Sequence, residues 1–187
     1  LNFTVANVLY ASTDDAIRTE VAKHLKLPAT AGSKPLPPVS ELAKRKGDAV
    51  HGQELFKTKA TCIKCHKVRG QGKEVGPDLS EIGSKLSREA MFVSILDPSA
   101  GISHNYETFS AILDSGNIVT GLKVSETDDS ITIRSAESID KTISKDEIDE
   151  LVKSSVSLMP ADMQKTMSEQ DLIDVVEFIQ TLKKAAG

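Results

Sequence analysis

The chain has two cysteines among its 187 residues, and both stand in the string Cys62-Ile63-Lys64-Cys65-His66. Two thiols three positions apart share one turn of chain, and an imidazole comes directly after them. A zinc site would need four ligands, usually two such cysteine pairs or one pair with spaced histidines. There is no second pair, and His24, His51 and His104 are scattered without that spacing. A thioredoxin-like dithiol belongs at the strand-to-helix junction of a parallel βαβ unit, whereas the residues before Cys62 read as helix. A disulfide between the two cysteines would leave the adjacent histidine unexplained. The string therefore reads as a covalent haem attachment site. Each thiol adds to one vinyl group at the porphyrin edge, and His66 turns its ring toward the iron.

A hydrophobic fraction of 39% and a charged fraction of 27% suit a folded chain with a core. The formal net charge of -4 argues against general nucleic-acid binding, which leans on an excess of Lys and Arg. No apolar run approaches the roughly 18 residues that span a membrane. Leu1 is not followed by the basic start and apolar core of a signal peptide, so a mature form or an excised fragment is expected, its targeting signal out of view. Charge is uneven. Lys57, Lys59, Lys64, Lys67, Arg69 and Lys73 lie between Glu54 and Glu74 and rim the attachment string, whereas over residues 126–150 the balance reverses and acidic side chains outnumber basic ones. Such asymmetry can steer a partner, although solvated charged faces are the default.

Thr13 or Ser12 is placed to cap a short amphipathic helix through Ala16, Val21 and Leu25, with Asp14 and Asp15 in its first turn. Pro28, Gly32, Pro35, Pro37 and Pro38 then mark an extended linker. A second helix is expected from Ser40, interrupted at Gly47-Asp48, with residues 48–58 leading to the cysteines. Glycines at 70, 72 and 76 let backbone pass close to a flat cofactor. Ser87 caps a helix that Asp97-Pro98 ends. From Tyr106 the period drops to two, predicting strands through Phe109–Leu113, Ile118–Val124 and Ile131–Ile133. Ser168 opens a last helix, with Leu172, Ile173, Val176, Phe178, Ile179 and Leu182 as its buried stripe.

Taken in order, Gly52 with Phe56, Cys62-Ile63-Lys64-Cys65-His66, Gly76-Pro77-Asp78-Leu79, Ser157-Leu158-Met159-Pro160 and the helix through Phe178-Ile179 resemble a cytochrome c domain. The likeness is closest to a haem-binding domain at the C-terminus of large secreted planctomycete proteins, and it covers roughly residues 40–182. It implies a mainly α fold of the class I type with His and Met on the iron, and a β-rich insertion before the Met loop. The implied organisation is an N-terminal helix and Pro-rich linker over 1–39 and a cytochrome c domain over 40–187, with the insertion at about 103–157.

The resemblance also assigns roles. His66 and Met159 would be the axial ligands, and the Pro77 carbonyl would accept the other ring hydrogen of His66. Gly52 and Phe178 would be the small and aromatic halves of a helix crossing. The residues support Met159 independently: a soft, neutral thioether favours ferrous iron, and Pro160 stiffens its loop. Met91 lies on a helix face, Met163 and Met167 precede the last helix, and His104 is the rival ligand. With no tryptophan to bond a haem propionate, Arg88 is the candidate, with Lys85 and Tyr106 as alternatives. The implied function is electron transfer by one haem c, not enzymatic chemistry. The implied partner is a redox protein, plausibly a dehydrogenase fused upstream or a separate periplasmic one, in a periplasmic or secreted bacterial setting. Two other classes remain: a haem-based sensor of small ligands or peroxidase-like module, and an interaction domain that haem merely stabilises.

Overall fold

The computed structural model describes residues 3–32 and 34–184. The outermost residues of the expected 1–39 and 40–187 segments, and Ser33 within the first, lie outside the described residues. Among those described are six α-helices and a five-stranded antiparallel sheet. The architecture is therefore mixed, and the expectation of a mainly α chain is corrected: the β-rich block continues beyond Ile133 into two further strands, Asp140–Ser144 and Ile148–Lys153. The chain divides into two compact units. One takes the residues up to Thr61, Leu79–Ala100 and those from Ala161 on, and the other takes Cys62–Asp78 and Gly101–Pro160.

The first unit is helical. α1 (Phe3–Tyr10) has no counterpart among the expected elements, because its apolar residues carry no cap signal; the Tyr10 hydroxyl donates to the Leu25 carbonyl at 2.6 Å. α2 (Asp15–His24) is capped by Asp14, not by Ser12 or Thr13. Extended backbone at Asp14 swings its carboxylate onto the Ala16 amide, and Ser12 instead accepts from the Asp14 amide. The Pro-rich segment folds back on itself: an antiparallel bridge joins Ala29 to Pro35, the Leu36 amide donates to the Pro28 carbonyl at 2.8 Å, and Leu27 and Leu36 are buried. α3 (Val39–Leu42) starts one residue before Ser40, on Pro38. α4 (Ala49–Lys57) is capped by Asp48, and α5 (Arg88–Leu96) by Ser87. α6 (Glu169–Thr181) opens with Ser168 and Asp171 capping each other reciprocally.

α4 and α6 cross at Gly52. A Cβ there would sit 1.9 Å from the Asp174 carbonyl oxygen and 3.0 Å from Phe178 Cβ, so only glycine lets the backbones approach this closely. One turn on, the Phe56 and Phe178 rings meet edge to face at 5.4 Å and 66°. Phe56, Phe92, Leu172, Ile173 and Val176 are fully buried, each contributing about 1.5–3 kcal/mol by removal from water. Two carboxylates hold the helices from inside. Asp174 accepts from the Asp48 amide at 2.9 Å, Gln170 at 2.8 Å and the His51 ring at 2.8 Å. Asp171 accepts from Lys59 at 2.6 Å and from the Ser168 amide at 2.9 Å.

The second unit contains the sheet: β1 (Thr108–Leu113), β2 (Ile118–Glu126), β3 (Ser130–Arg134), β4 (Asp140–Ser144) and β5 (Ile148–Lys153), in the order β4-β3-β2-β1-β5. β1 to β4 form a meander, and β5 returns to pair with β1. Ala111, Leu113, Ile131, Ile133 and Ile143 form its core, flanked by Val119, Ile148 and Leu151. Opposite it runs a hydroxyl face on which Ser110 bonds Thr120 and Thr132 bonds Thr142, each at 2.9 Å.

Candidate functional site

Cys62–Lys64 is a single 3₁₀ turn, in which the amides of Cys65 and His66 donate to the Cys62 carbonyl at 3.1 and 2.9 Å. That turn puts both thiols and the imidazole on one short stretch of chain. The chain then reverses at Val68–Gln71, which exchange two backbone bonds of 2.8 and 3.0 Å. Arg69 and Gly70 both have positive φ, 48° and 81°, as a type I′ turn requires. The returning strand is fastened to the motif, since the amides of Val75 and Gly76 both donate to the Cys65 carbonyl, at 2.9 and 2.7 Å.

This return sets His66. Its Nδ1 lies 2.8 Å from the Pro77 carbonyl. A carbonyl only accepts, so Nδ1 carries the hydrogen and the lone pair resides on Nε2. Gly76 lies against the same ring: a Cβ there would be 2.5 Å from Cε1 and 3.0 Å from Nε2. Burial holds the imidazole below its ordinary pKa, against the opposing pull of the Pro77 carbonyl, so the ring is neutral near pH 7. A neutral, half-buried imidazole with one nitrogen oriented by a backbone acceptor and the other left for a metal is the donor that haem iron takes. Cys62 and Cys65 are not disulfide-bonded. Burial pushes the Cys62 thiol up to about 12 and Cys65 in the same direction, so both are protonated thiols at neutral pH. These residues fit a covalently held haem. Zinc finds less support, because no group of three or more His, Cys, Asp or Glu placed to hold a metal ion occurs among the described residues.

Met159 lies in the same unit as His66, half-buried, with its amide bonded to Ser157 Oγ at 3.2 Å. Met91 and Met167 are buried in the core, 2% and 1% exposed, and so are committed to packing. The His104 ring is 89% exposed and 3.7 Å from Glu107 on its own loop. Arg88 belongs to the helical unit. Its Nη1 reaches Gln180 and Glu177, both at 2.7 Å, and Nη2 donates to the Arg45 carbonyl at 2.8 Å; its Nε is buried without a partner.

The basic rim is less free than the sequence suggests. Lys67 pairs with Glu74, Lys73 donates to the Glu137 carbonyl at 3.1 Å, and Lys59 is held by Asp171. Lys64 stays exposed between the two cysteines. The acidic stretch is also partly neutralised. Lys123 and Lys145 hold Glu126 down to about 2, and Arg134 grips Asp140 with two bonds of 2.7 and 2.8 Å. Sequence reasoning missed the Arg134–Asp140 pair. The alternation that predicts β3 carries no sign of what its last residue reaches.

Residues 49–129 match the family model described as Cytochrome c. The match runs from α4 through the attachment string, Pro77 and α5 to beyond the end of β2, and stops short of Met159. A search of curated proteins found no match to the chain. The chain thus contains a cytochrome c domain over residues 49–129, and its cofactor is one haem c bound covalently through Cys62 and Cys65. Among the described residues no helix is long and apolar enough to cross a membrane.

Proposed function

We propose that the protein is an electron carrier rather than an enzyme, with His66 and Met159 as the two axial ligands and Pro77 orienting His66. The observation that carries the reading is the His66 Nδ1–H bond to the Pro77 carbonyl at 2.8 Å, which leaves the Nε2 lone pair for a metal. Bound haem supplies a one-electron ferric–ferrous couple. The chain supplies the rest. Cys62 and Cys65 anchor, Gly76 and Pro77 fix the imidazole, and the Met159 thioether closes the remaining position against substrates. Arg88 has a lesser place, since only its buried Nε is without a protein partner for a propionate.

The proposed organisation is an N-terminal helix and linker over 1–39 and a cytochrome c domain over 40–187 that includes the insertion at about 103–157. Its likeness to the C-terminal haem domain of secreted planctomycete proteins supports a periplasmic or secreted setting. The same likeness supports a dehydrogenase donor, fused upstream or separate.

The test is Met159→His. A histidine and thioether pair gives the ferric protein a weak far-red absorption. The variant should lose that band and lower the potential by on the order of 100 mV or more, because axial ligands dominate it. An unchanged spectrum would move the second ligand elsewhere.

A further inference from the structure

The sheet contributes no residue to haem attachment, yet its β3–β4 end is bonded to the loop that carries His66. Arg134, the last residue of β3, donates Nη1 to the carbonyl of Glu74 at 3.1 Å. Its Nε and Nη2 are held by Asp140, its partner in the β3–β4 register, in a two-toothed grip at 2.7 and 2.8 Å. That grip fixes the guanidinium plane before it meets Glu74. Beside it, Lys73 donates to the Glu137 carbonyl in the β3–β4 turn at 3.1 Å, and the Glu74 carboxylate pairs with Lys67. The turn is itself closed by the Ser135 amide on the Ile139 carbonyl at 2.9 Å.

Glu74 is the residue at which such a bond can reach the imidazole, because the next three positions all bear on His66 or its neighbour. Val75 and Gly76 bond to Cys65, Gly76 touches the imidazole, and Pro77 receives its Nδ1–H. Four consecutive residues, 74–77, thus join the sheet to the ring. We propose that the β3–β4 hairpin is a clamp on this segment and that Arg134 is a positioning residue for His66, acting through the Glu74 carbonyl. The inference rests on His66 being the iron ligand.

The sign comes from ligand chemistry. A firm Nδ1–H bond makes an imidazole a stronger donor, which favours ferric iron. Releasing residues 74–77 weakens that bond and should favour ferrous iron. Arg134→Ala should therefore raise the ferrous-to-ferric ratio at a fixed ambient potential by up to about tenfold, which for one electron is about 59 mV. Asp140→Asn, which loosens the guanidinium without removing it, should move the ratio the same way by less. Arg134→Lys keeps one donor and should recover part of the change.

A residue that merely stabilised the sheet would not alter these readouts. Thr132→Ala with Thr142→Ala, on the hydroxyl face, serves as the control: it should lower the melting temperature and leave the potential unchanged. The experiment measures potentials for these variants, together with solvent exchange of the His66 ring N–H by NMR in the ferrous holoprotein. Faster exchange and a higher potential in Arg134→Ala, with neither in the threonine control, are expected. Loss of stability in Arg134→Ala with potential and exchange unchanged overturns the clamp. If the unmodified protein shows no His66 ring proton shifted by the haem ring current, the ligand assignment fails instead.

Discussion

The helical unit and the sheet-bearing unit solve the problem of holding a fixed geometry by different means. α4 and α6 are locked by side chains: a bare backbone crossing at Gly52, the Phe56–Phe178 ring pair, and Asp171 and Asp174 gripped from several directions. The attachment loop has little apolar packing to draw on, and its order comes from backbone bonds from 62 to 76, the positive φ at Arg69 and Gly70, and the Pro77 carbonyl. Packing tolerates loss of a contact by relaxing, whereas a loop fixed through single bonds transmits each loss to whatever it positions. Stability and ligand geometry should therefore respond to different substitutions.

The largest effect is on cofactor retention. With both thioethers intact, protein unfolded in denaturant should keep its haem, and Cys62→Ala with Cys65→Ala should release it under the same treatment. Acid and organic solvent that stripped haem from the unmodified protein would contradict covalent attachment.

Next comes a pair of glycine substitutions chosen to separate the two regions. Gly52→Ala places a methyl 1.9 Å from the backbone oxygen of Asp174, so the helices must part, at a cost of about 1–3 kcal/mol or more in a denaturant titration. Its haem spectrum should keep its band positions. Gly76→Ala places a methyl 2.5 Å from His66 Cε1 and should do the opposite, shifting spectrum and potential more than the unfolding midpoint. Equal effects of the two on both readouts would erase the distinction.

Titration sharpens the contrast further. Burial raises both Asp171 and Asp174, but the bonds from Lys59 and Ser168 to the first, and from His51, Asp48 and Gln170 to the second, outweigh it and hold both below their ordinary 3.8. Carboxylates depressed in this way add stability that is present above their unfolded pKa and lost as pH falls through the folded values. His51 is raised above 6.5, chiefly by its bond to Asp174, so its contribution is full below 6.5 and fades as pH rises through its folded value. Asp174→Asn should lower stability at neutral pH and flatten both limbs. Denaturant midpoints measured from about pH 3 to about pH 9 span both limbs and check this; an unchanged acid limb would count against the network.

The smallest effect concerns the rim. Lys67 is paired with Glu74, so of the two lysines beside the cysteines Lys64 is the one whose charge faces solvent. Lys64→Glu should slow electron exchange with an anionic partner a few-fold at low salt. The difference should shrink as ionic strength screens charges over roughly 8 Å. A rate indifferent to both salt and reversal would make the rim a solvated face.

The attachment string was legible in the sequence because haem chemistry admits few residue types at fixed spacing, whereas the part of Pro77 came only from the likeness to cytochrome c domains. α4, α5 and α6 were readable from their caps and apolar stripes, with Ser87 and Ser168 in place. β4 and β5 were not, because the outer strands of the sheet bury little: Ile143 is the one buried residue of Asp140–Ser144, and Ile148–Lys153 is largely exposed. Such strands resemble charged loop and are fixed by ladder bonds to β3 and β1. Asp14 displaced Ser12 and Thr13 as a cap because cap geometry depends on one residue's backbone, which composition does not encode. Arg134's contact with Glu74 links positions sixty residues apart, a relation no local pattern carries.

In the proposed carrier, His66 and a second protein ligand close the iron to substrates and leave it only electrons to exchange. The direct measurement is the absorption spectrum of the dithionite-reduced protein before and after carbon monoxide is added at neutral pH. A carrier with both axial positions filled should show the same spectrum in each. A prompt shift to a carbon monoxide adduct would mean an open position, and the protein would then be a binder of small ligands.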